Sequence, residues 1–293
     1  MKILLLGDSH TDIFVHMPNV TRFNTSLCQS AIFTVHRFTD DNDIDLWSKL
    51  DPWLQEQAQE RSSLIISGGE IDIRAHFWRH IPRSYSSGDD IENYVKAVAV
   101  KFYQSLVSVR DRYNLEHIVV WGVPVAGDGA LYNLLVPFGG TANTRNRLIH
   151  MWNRSFLETI KDDTTFTLAT AYYDFIDPAT YLTVTPNPSH DGVHWHDRFG
   201  PVFWEKLILP SLNNKMSMVG NNYNLMYNDK FDMGRTQSQA TQKYDSWISS
   251  DQLSNIQGLH RSVSINGETY WWVPDNEKHR LPEHYTELSL TNI

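Results

Sequence analysis

Along residues 1–212, short apolar runs alternate with longer segments in which apolar residues recur at helical spacing. The short runs are typical of strands buried on both faces of a sheet, and the spaced segments are typical of amphipathic helices. The predicted strands cover residues 2–6, 31–38, 64–67, 117–122 and 165–171, and the predicted helices cover residues 40–60, 90–113, 143–160 and 198–212. Because strands that alternate with helices favour a parallel sheet with right-handed crossovers, we predict a three-layer α/β/α fold around a five-stranded, mostly parallel sheet.

The pattern changes after residue 212. Residues 213–258 are rich in Asn, Gln, Ser and Asp and poor in aliphatic side chains, so this segment is poorly equipped to build a core alone. Further on, Asn266-Gly267 separates two β-prone runs and predicts a β-hairpin near residues 262–273. The sequence therefore divides into a main domain at 1–212 and an accessory extension at 213–293. The hairpin's Trp271-Trp272 pair suits either packing onto the main domain or binding of sugar rings.

Composition and charge narrow the classes of partner. The chain has 25 Lys and Arg against 34 Asp and Glu, a net charge of −9, and no basic run, which argues against nucleic acid. Cys28 is the single cysteine, so no internal disulfide can form. The first strand begins at residue 2, which leaves no room for a cleavable signal peptide, and no apolar run reaches about 18 residues. We therefore expect a cytoplasmic protein without a membrane partner, and the sequence does not exclude a viral origin.

Two short polar motifs stand at opposite ends of the α/β pattern. Gly7-Asp8-Ser9 ends the first strand, which places Ser9 at the carboxyl edge of the sheet, where α/β proteins bind their ligands. Asp191 and His194 stand just before the last predicted helix. A serine hydroxyl becomes a nucleophile when a base such as histidine takes its proton, and a nearby carboxylate orients that histidine. The structural alternative is that Ser9 and Asp191 cap the helices that follow them.

Taken together, Gly7-Asp8-Ser9 and the Asp191-x-x-His194 pair resemble the SGNH (GDSL-type) hydrolase family over roughly residues 1–212. The resemblance implies the flavodoxin-like fold of that family and a serine ester hydrolase without a cofactor. It assigns Ser9 as nucleophile, His194 as general base and acid, and Asp191 as the orienting carboxylate. It also implies a small acyl ester as substrate, for which an O-acetyl group on a carbohydrate is a candidate.

The donors that would stabilise an oxyanion depart from the family pattern. Where the family has Gly-x-Asn-Asp, this chain has Gly69-Glu70-Ile71-Asp72, and Ile71 has no side-chain donor. The candidate substitutes are a backbone N–H at Gly69 and the guanidinium of Arg74, oriented by Glu70 or Asp72. Alternatively, these charged side chains form a structural ion-pair network.

Other functions use the same residues. Asp8, His10, His194 and His196 suit a metal-dependent phosphoesterase with a two-metal site. Calcineurin-like phosphoesterases, however, carry a Gly-Asn-His-(Glu/Asp) block where this chain has 121–124, Trp-Gly-Val-Pro, so we favour the serine mechanism and expect no metal. Two further alternatives are an acyltransferase and a catalytically weak carbohydrate-binding protein, both on the same fold.

Overall fold

The computed structural model describes most of residues 2–214 and short stretches beyond them. The described residues are 2–29, 33–59, 61–77, 88–127, 142–177, 181–183, 194–195, 197–214, 218–220, 247–249, 262–265 and 268–272, the last three ranges by their backbone.

A parallel sheet of six strands forms the centre of the fold. The strands are β1 (Ile3–Gly7), β2 (Val20–Arg22), β3 (Ser63–Ser67), β4 (His117–Trp121), β5 (Phe166–Ala169) and β6 (Met218–Val219). They lie in the order β2-β1-β3-β4-β5-β6, and every neighbouring pair is parallel. The first five follow the flavodoxin-like order. The predicted α/β class is therefore confirmed, and the sheet gains a sixth strand because Met218 and Val219, from the predicted extension, pair with β5.

The helices connect these strands and cover both faces of the sheet. They are α1 (Val35–Phe38), α2 (Ile44–Gln57), α3 (Gly88–Tyr113), α4 (Ala142–Ile160), α5 (Phe199–Phe203) and α6 (Leu209–Asn214), with a 3-10 helix at Ser9–Phe14 and π-helical turns at Asp72–His76 and Trp204–Ile208. The second π turn joins α5 to α6 in one C-terminal helix. The helices predicted from periodicity are confirmed. None of the described helices has both the length and the apolar surface needed to span a bilayer.

Aromatic side chains bind the two helical layers to the sheet. On one face, α3 packs against α4 through Phe102, whose ring centroid lies 5.9 Å from those of Trp152 and Phe156. On the other face, Phe14 of the 3-10 helix lies 5.2 Å from Trp121 of β4 and 6.0 Å from Trp204 of the C-terminal helix. The second cluster matters for the site, because it joins the segment after β1 to the last helix of the main domain.

The second strand is not where the sequence predicts it. Residues 35–38, within the predicted strand at 31–38, form helix α1, and β2 lies earlier, at Val20–Arg22. The β-propensity of this segment is overridden by capping of its N–H groups. Val35 and His36 donate their backbone N–H groups to the Asp72 carboxylate at 2.8 and 3.2 Å, and Arg37 donates its own to Thr34 Oγ1 at 3.1 Å. Residues 30–32 lie outside the described residues.

A second, antiparallel sheet of three strands lies in the range predicted as the extension. Its strands are β7 (Trp247–Ser249), β8 (Ser262–Ile265) and β9 (Glu268–Trp272), in the order β7-β9-β8. Strands β8 and β9 pair as the predicted hairpin requires, and the Asn266-Gly267 turn lies outside the described residues. The division into a domain at 1–212 and an extension at 213–293 stays a prediction.

The ends of β1 and β3 approach each other closely at Gly7. Gly7 has a φ of 147°, and a Cβ atom built there would lie 2.4 Å from the backbone oxygen of Ser67 and 2.9 Å from its nitrogen. No side chain fits between these two strands. Glycine at this position therefore permits the close strand contact after which the chain turns into Ser9.

We expect Gly7→Ala to lower the free energy of unfolding by about 3 kcal/mol or more, because the new methyl group meets backbone atoms and the φ is unfavourable. Gly68→Ala is the matched control. The Cβ built there first meets side-chain atoms, Val35 Cγ2 at 3.0 Å and Phe33 Cε1 at 3.3 Å, which can adjust, so about 1 kcal/mol is expected. Urea titration of both variants measures the difference, and equal losses would contradict this account of the strand contact.

Candidate active site

Ser9 lies on a tight turn directly beyond β1. The Asp8 carboxylate accepts the backbone N–H of His10 at 3.1 Å, and the Asp8 carbonyl accepts the Thr11 hydroxyl at 2.8 Å. These bonds begin the 3-10 helix at Ser9. Asp8, His10 and Thr11 are buried, whereas Ser9 is exposed. The turn therefore holds the serine hydroxyl at the carboxyl edge of the sheet and leaves it accessible.

The hydroxyl of Ser9 and the imidazole of His194 are in direct contact. Ser9 Oγ lies 2.6 Å from His194 Nε2, although the two residues are 185 positions apart. This is hydrogen-bonding distance for a nucleophile and its base. The structure thus brings together two of the three residues that the sequence predicts as a catalytic triad.

His194 is held in place through its neighbour Trp195. The buried Trp195 ring lies 5.2 Å from the rings of Phe175 and Phe203, and Phe203 belongs to the C-terminal helix. This packing anchors the segment that carries His194. The predicted orienting residue Asp191 lies outside the described residues, as does His196.

Beyond β3, Glu70 and Arg74 form a buried, bidentate ion pair. Arg74 Nε donates to Glu70 Oε1 at 2.6 Å, and a terminal guanidinium nitrogen donates to Oε2 at 3.0 Å. The Glu70 side chain is 11% exposed and the Arg74 side chain is 7% exposed. Burial on its own would raise the pKa of the Glu70 carboxyl, but the charge of Arg74 and the contact with His10 outweigh it and hold that pKa well below its usual range. Glu70 is therefore a carboxylate that cannot donate to an oxyanion.

His10 lies between this ion pair and His194. Its Nε2 is 3.7 Å from Glu70 Oε2, an ion-pair distance too long for a hydrogen bond, and its ring centroid is 4.9 Å from that of His194. Burial lowers the pKa of His10, but the charges of Asp8 and Glu70 outweigh burial, so that the pKa is raised overall. Burial likewise raises the pKa of Asp8, against the opposing charge of His10.

The other two oxyanion candidates have structural contacts. Asp72 receives the N–H groups at the start of α1 on both of its carboxylate oxygens, and burial raises its pKa to about 6 despite these bonds. Gly69 has a φ of 111°, and a Cβ there would lie 3.1 Å from Val123 and 3.3 Å from Trp152, so the loop after β3 is closely packed. The roles of Gly69, Asp72 and Arg74 toward an oxyanion stay predictions.

The described residues offer no metal centre. No group of three or more His, Cys, Asp or Glu side chains within the described ranges is arranged to hold a metal ion, and this includes Asp8, His10 and His194. A cavity of about 570 Å³ lies between α2 and α3, where Trp47, Asp51, Lys101 and Arg112 are among its lining residues. Its lining includes neither Ser9 nor His194, so it is separate from the Ser9–His194 pair.

From the sequence, His10 is predicted only as a possible metal ligand. The packing of its ring near the ring of His194 is not predicted. A signal was present, because His10 follows Ser9 directly in a turn at a strand end, where adjacent side chains surround the same crevice. What the sequence could not indicate is that the side chain turns inward toward Glu70.

Comparison with known proteins gives remote similarities in structure. The chain is similar to a candidate platelet activating factor protein from Streptococcus pneumonia, at 16% identity and a TM-score of 0.43, over 70% of this chain and 80% of the other. It is also similar to a candidate SGNH hydrolase from Slackia heliotrinireducens, at 13% identity and a TM-score of 0.38, over 69% and 94% of the two chains. No family model matches the sequence, and no curated protein matches it.

We expect Arg74→Lys to lower the free energy of unfolding by about 2 kcal/mol, because lysine keeps the charge but cannot form the two parallel bonds to buried Glu70. Arg154→Lys is the matched control, since Arg154 also pairs with the residue four positions away in its helix, Glu158, but with both side chains more than a third exposed. There the loss should stay below about 0.5 kcal/mol. Comparable losses in chemical denaturation would show that burial does not strengthen the Glu70–Arg74 pair.

Proposed function

We propose that this protein is a serine ester hydrolase of the SGNH type, with Ser9 as nucleophile and His194 as general base and acid. The observation that carries the proposal is the 2.6 Å contact between Ser9 Oγ and His194 Nε2 at the carboxyl edge of a flavodoxin-like sheet. The exposure of Ser9 adds support, because a substrate carbonyl can reach the hydroxyl. Asp191, three residues before His194, is assigned as the carboxylate that orients the imidazole.

The reaction that this pair performs is acyl transfer in two steps. Ser9 Oγ attacks the ester carbonyl carbon while His194 Nε2 takes the hydroxyl proton, and His194 then returns this proton to the departing alcohol oxygen. The acyl group is left as an ester on Ser9. A water molecule gives a proton to His194 and attacks this ester, which releases the carboxylic acid and restores the Ser9 hydroxyl.

The negative charge on the attacked carbonyl oxygen requires hydrogen-bond donors. Ser9 begins a 3-10 helix, so its own N–H has no acceptor within that helix and is the first candidate donor. The backbone N–H of Gly69, in the adjacent loop after β3, is the second. Arg74 is the third candidate, and its bond to Glu70 makes it the most constrained of the three.

The proposed substrate is a small acyl ester, with O-acetyl groups on carbohydrate as the first class to test. The exposed position of Ser9 suits an ester presented on a larger molecule, because the scissile group need not enter a deep cavity. If a sugar hydroxyl replaces water in the second step, the same residues catalyse acyl transfer. Comparing acetate release in the absence and presence of a sugar acceptor distinguishes the two activities.

Replacing the nucleophile should abolish turnover. Ser9→Ala is expected to lower kcat on an aryl acetate by about three orders of magnitude or more and to abolish labelling by a fluorophosphonate, because no other group can form the acyl-enzyme. Ser48→Ala, at an exposed position on α2, is the control and should label normally. Ordinary turnover by Ser9→Ala would rule out the serine mechanism, and loss of wild-type activity on chelation would favour a metal-dependent one.

Removing the proposed orienting carboxylate should also have a large effect. Asp191→Asn is expected to lower kcat/KM by roughly three to four orders of magnitude and to change the shape of its pH profile, because asparagine favours the wrong tautomer of His194. Asp197→Asn removes an exposed carboxylate from the same segment and should behave as wild type. The measurement is kcat/KM from pH 5 to 9 for all three proteins, and matching profiles would exclude Asp191 from the triad.

A further inference from the structure

The cavity of about 570 Å³ between α2 and α3 lies in a helical layer of the fold. Trp47 and Asp51, one turn apart on α2, form part of one wall, and the face of α3 from Lys101 to Tyr113 forms the other. Small-molecule sites in proteins typically occupy roughly 300–1,000 Å³, so the cavity has the size of a binding site. None of its described lining residues takes part in the proposed acyl transfer.

The cavity is open where α3 presents small side chains toward α2. Ser105 and Ser108 lie between the longer side chains of Lys101 and Arg112, and all four share one face of the helix because their spacings are three or four residues. The Ser108 hydroxyl donates to the carbonyl of Gln104 in its own helix at 3.1 Å. The two serines therefore leave space that larger residues at these positions would fill.

The aromatic part of the lining is a ring that is already fixed in place. The Trp47 ring centroid lies 5.3 Å from that of Phe38, and the indole N–H donates to the carbonyl of Asp40 at 3.2 Å. The ring is partly buried by these contacts and also lines the cavity. It offers a ligand a rigid apolar surface that does not have to be ordered on binding.

A carboxylate one turn further along α2 is fixed as well. Asp51 Oδ1 accepts the Tyr113 hydroxyl and lies 2.8 Å from a guanidinium nitrogen of Arg112, and Oδ2 accepts Gln55 Nε2 at 3.0 Å. Burial, followed by the bond to Asp51, raises the pKa of Tyr113, so its hydroxyl stays a donor. Because a carboxylate can accept about four hydrogen bonds, Oδ2 keeps capacity for one more. The Asp51 side chain is 23% exposed, which leaves it accessible to a ligand.

The charges of the described lining residues balance. Asp51 forms an ion pair with Arg112, and the other two charged residues, Asp41 and Lys101, are exposed and opposite in sign. An anion would approach two carboxylates, and a cation would approach two basic groups. The lining therefore favours a neutral ligand that combines an apolar face with several hydrogen-bonding groups.

We propose that the cavity between α2 and α3 binds a saccharide unit, with a face of the sugar ring on Trp47 and its hydroxyl groups bonded to Gln104 and Asp51. A pyranose ring has C–H groups on its faces and hydroxyl groups around its edge, which is the combination that this lining accommodates. The inference does not depend on the serine mechanism, because the two sites share no described residue. If the proposed esterase acts on carbohydrate esters, a saccharide held here raises the local concentration of ester at Ser9.

Proton–nitrogen NMR of the tryptophan indole groups tests binding in the full-length protein. The probes are three neutral trisaccharides: cellotriose, maltotriose and chitotriose. We expect at least one of them to shift the Trp47 indole signal, which is identified by its absence from Trp47→Phe, with a dissociation constant on the order of 1 mM or tighter. An unchanged Trp47 signal at about 20 mM of each probe, enough to saturate such a site, would overturn the proposal.

Filling the cavity should prevent binding. Ser108→Phe places a ring in the cavity from an exposed position on α3, so affinity should fall at least about tenfold while the fold is kept. Ser48→Phe is the matched control, because it makes the same replacement at an exposed position on α2 that does not line the cavity. This variant should bind as the wild type does. Equal affinities in the two variants would overturn the proposal.

A milder variant keeps the test decisive if Ser108→Phe fails to fold. Gln104→Ala, at another exposed position on α3, removes one proposed hydrogen bond and should lower affinity about fivefold. Wild-type affinity in Gln104→Ala would contradict the proposed contact. Labelling of Ser9 by a fluorophosphonate should be the same in all these variants, so failure of the esterase proposal and failure of the saccharide site give different results.

Discussion

The close contact between the ends of β1 and β3 is the constraint on which the candidate site depends. Because Gly7 has no side chain, its backbone lies directly against Ser67, and the loops that leave the two strands begin side by side. The segment after β1 carries Asp8 and, in its 3-10 helix, Ser9 and His10, and the segment after β3 carries Glu70 and, in its π-helical turn, Arg74. A larger residue at Gly7 would separate the two loops, and the charged groups around His10 would lose each other as partners.

Two further contacts fix the surroundings of these loops. The Asp72 carboxylate caps α1, so the π-helical turn after β3 is tied to the segment that crosses from β2. On the opposite face, Phe14 packs on Trp204 of the C-terminal helix, and Phe203 of this helix packs on Trp195, next to His194. The serine and the histidine are thus each attached to a rigid aromatic layer, which limits how far the hydroxyl and the imidazole can separate.

The sequence predicted the elements whose signal is local. Long helices such as α3 have apolar residues at helical spacing, and buried strands such as β3 are short apolar runs bounded by glycine. The position of Ser9 at the carboxyl edge of the sheet follows because its polar motif stands directly after such a run. The sequence predicts a strand where helix α1 forms, because two of the three N–H groups capped at the start of this helix bind Asp72, which is 37 positions away from Val35. The inward turn of His10 has the same kind of cause, since its partner Glu70 is distant in sequence. Contacts between residues so far apart leave no pattern in a short stretch of sequence. The charged cluster around His10 therefore could not be predicted without the structure.

The separation of 185 positions between Ser9 and His194 has a consequence for biosynthesis. During translation the first three strands can leave the ribosome and begin to pair long before the histidine exists, so the nascent chain holds Ser9, the proposed nucleophile, without His194, its proposed base. The pair can form only after the segment around Trp195 and the C-terminal helix have docked, and contacts between such distant positions form late and slowly. Under the proposed mechanism, reactivity at Ser9 reports that the segment around Trp195 and the C-terminal helix have docked, and a chain terminated before residue 194 contains strands β1 to β5 but lacks the proposed base.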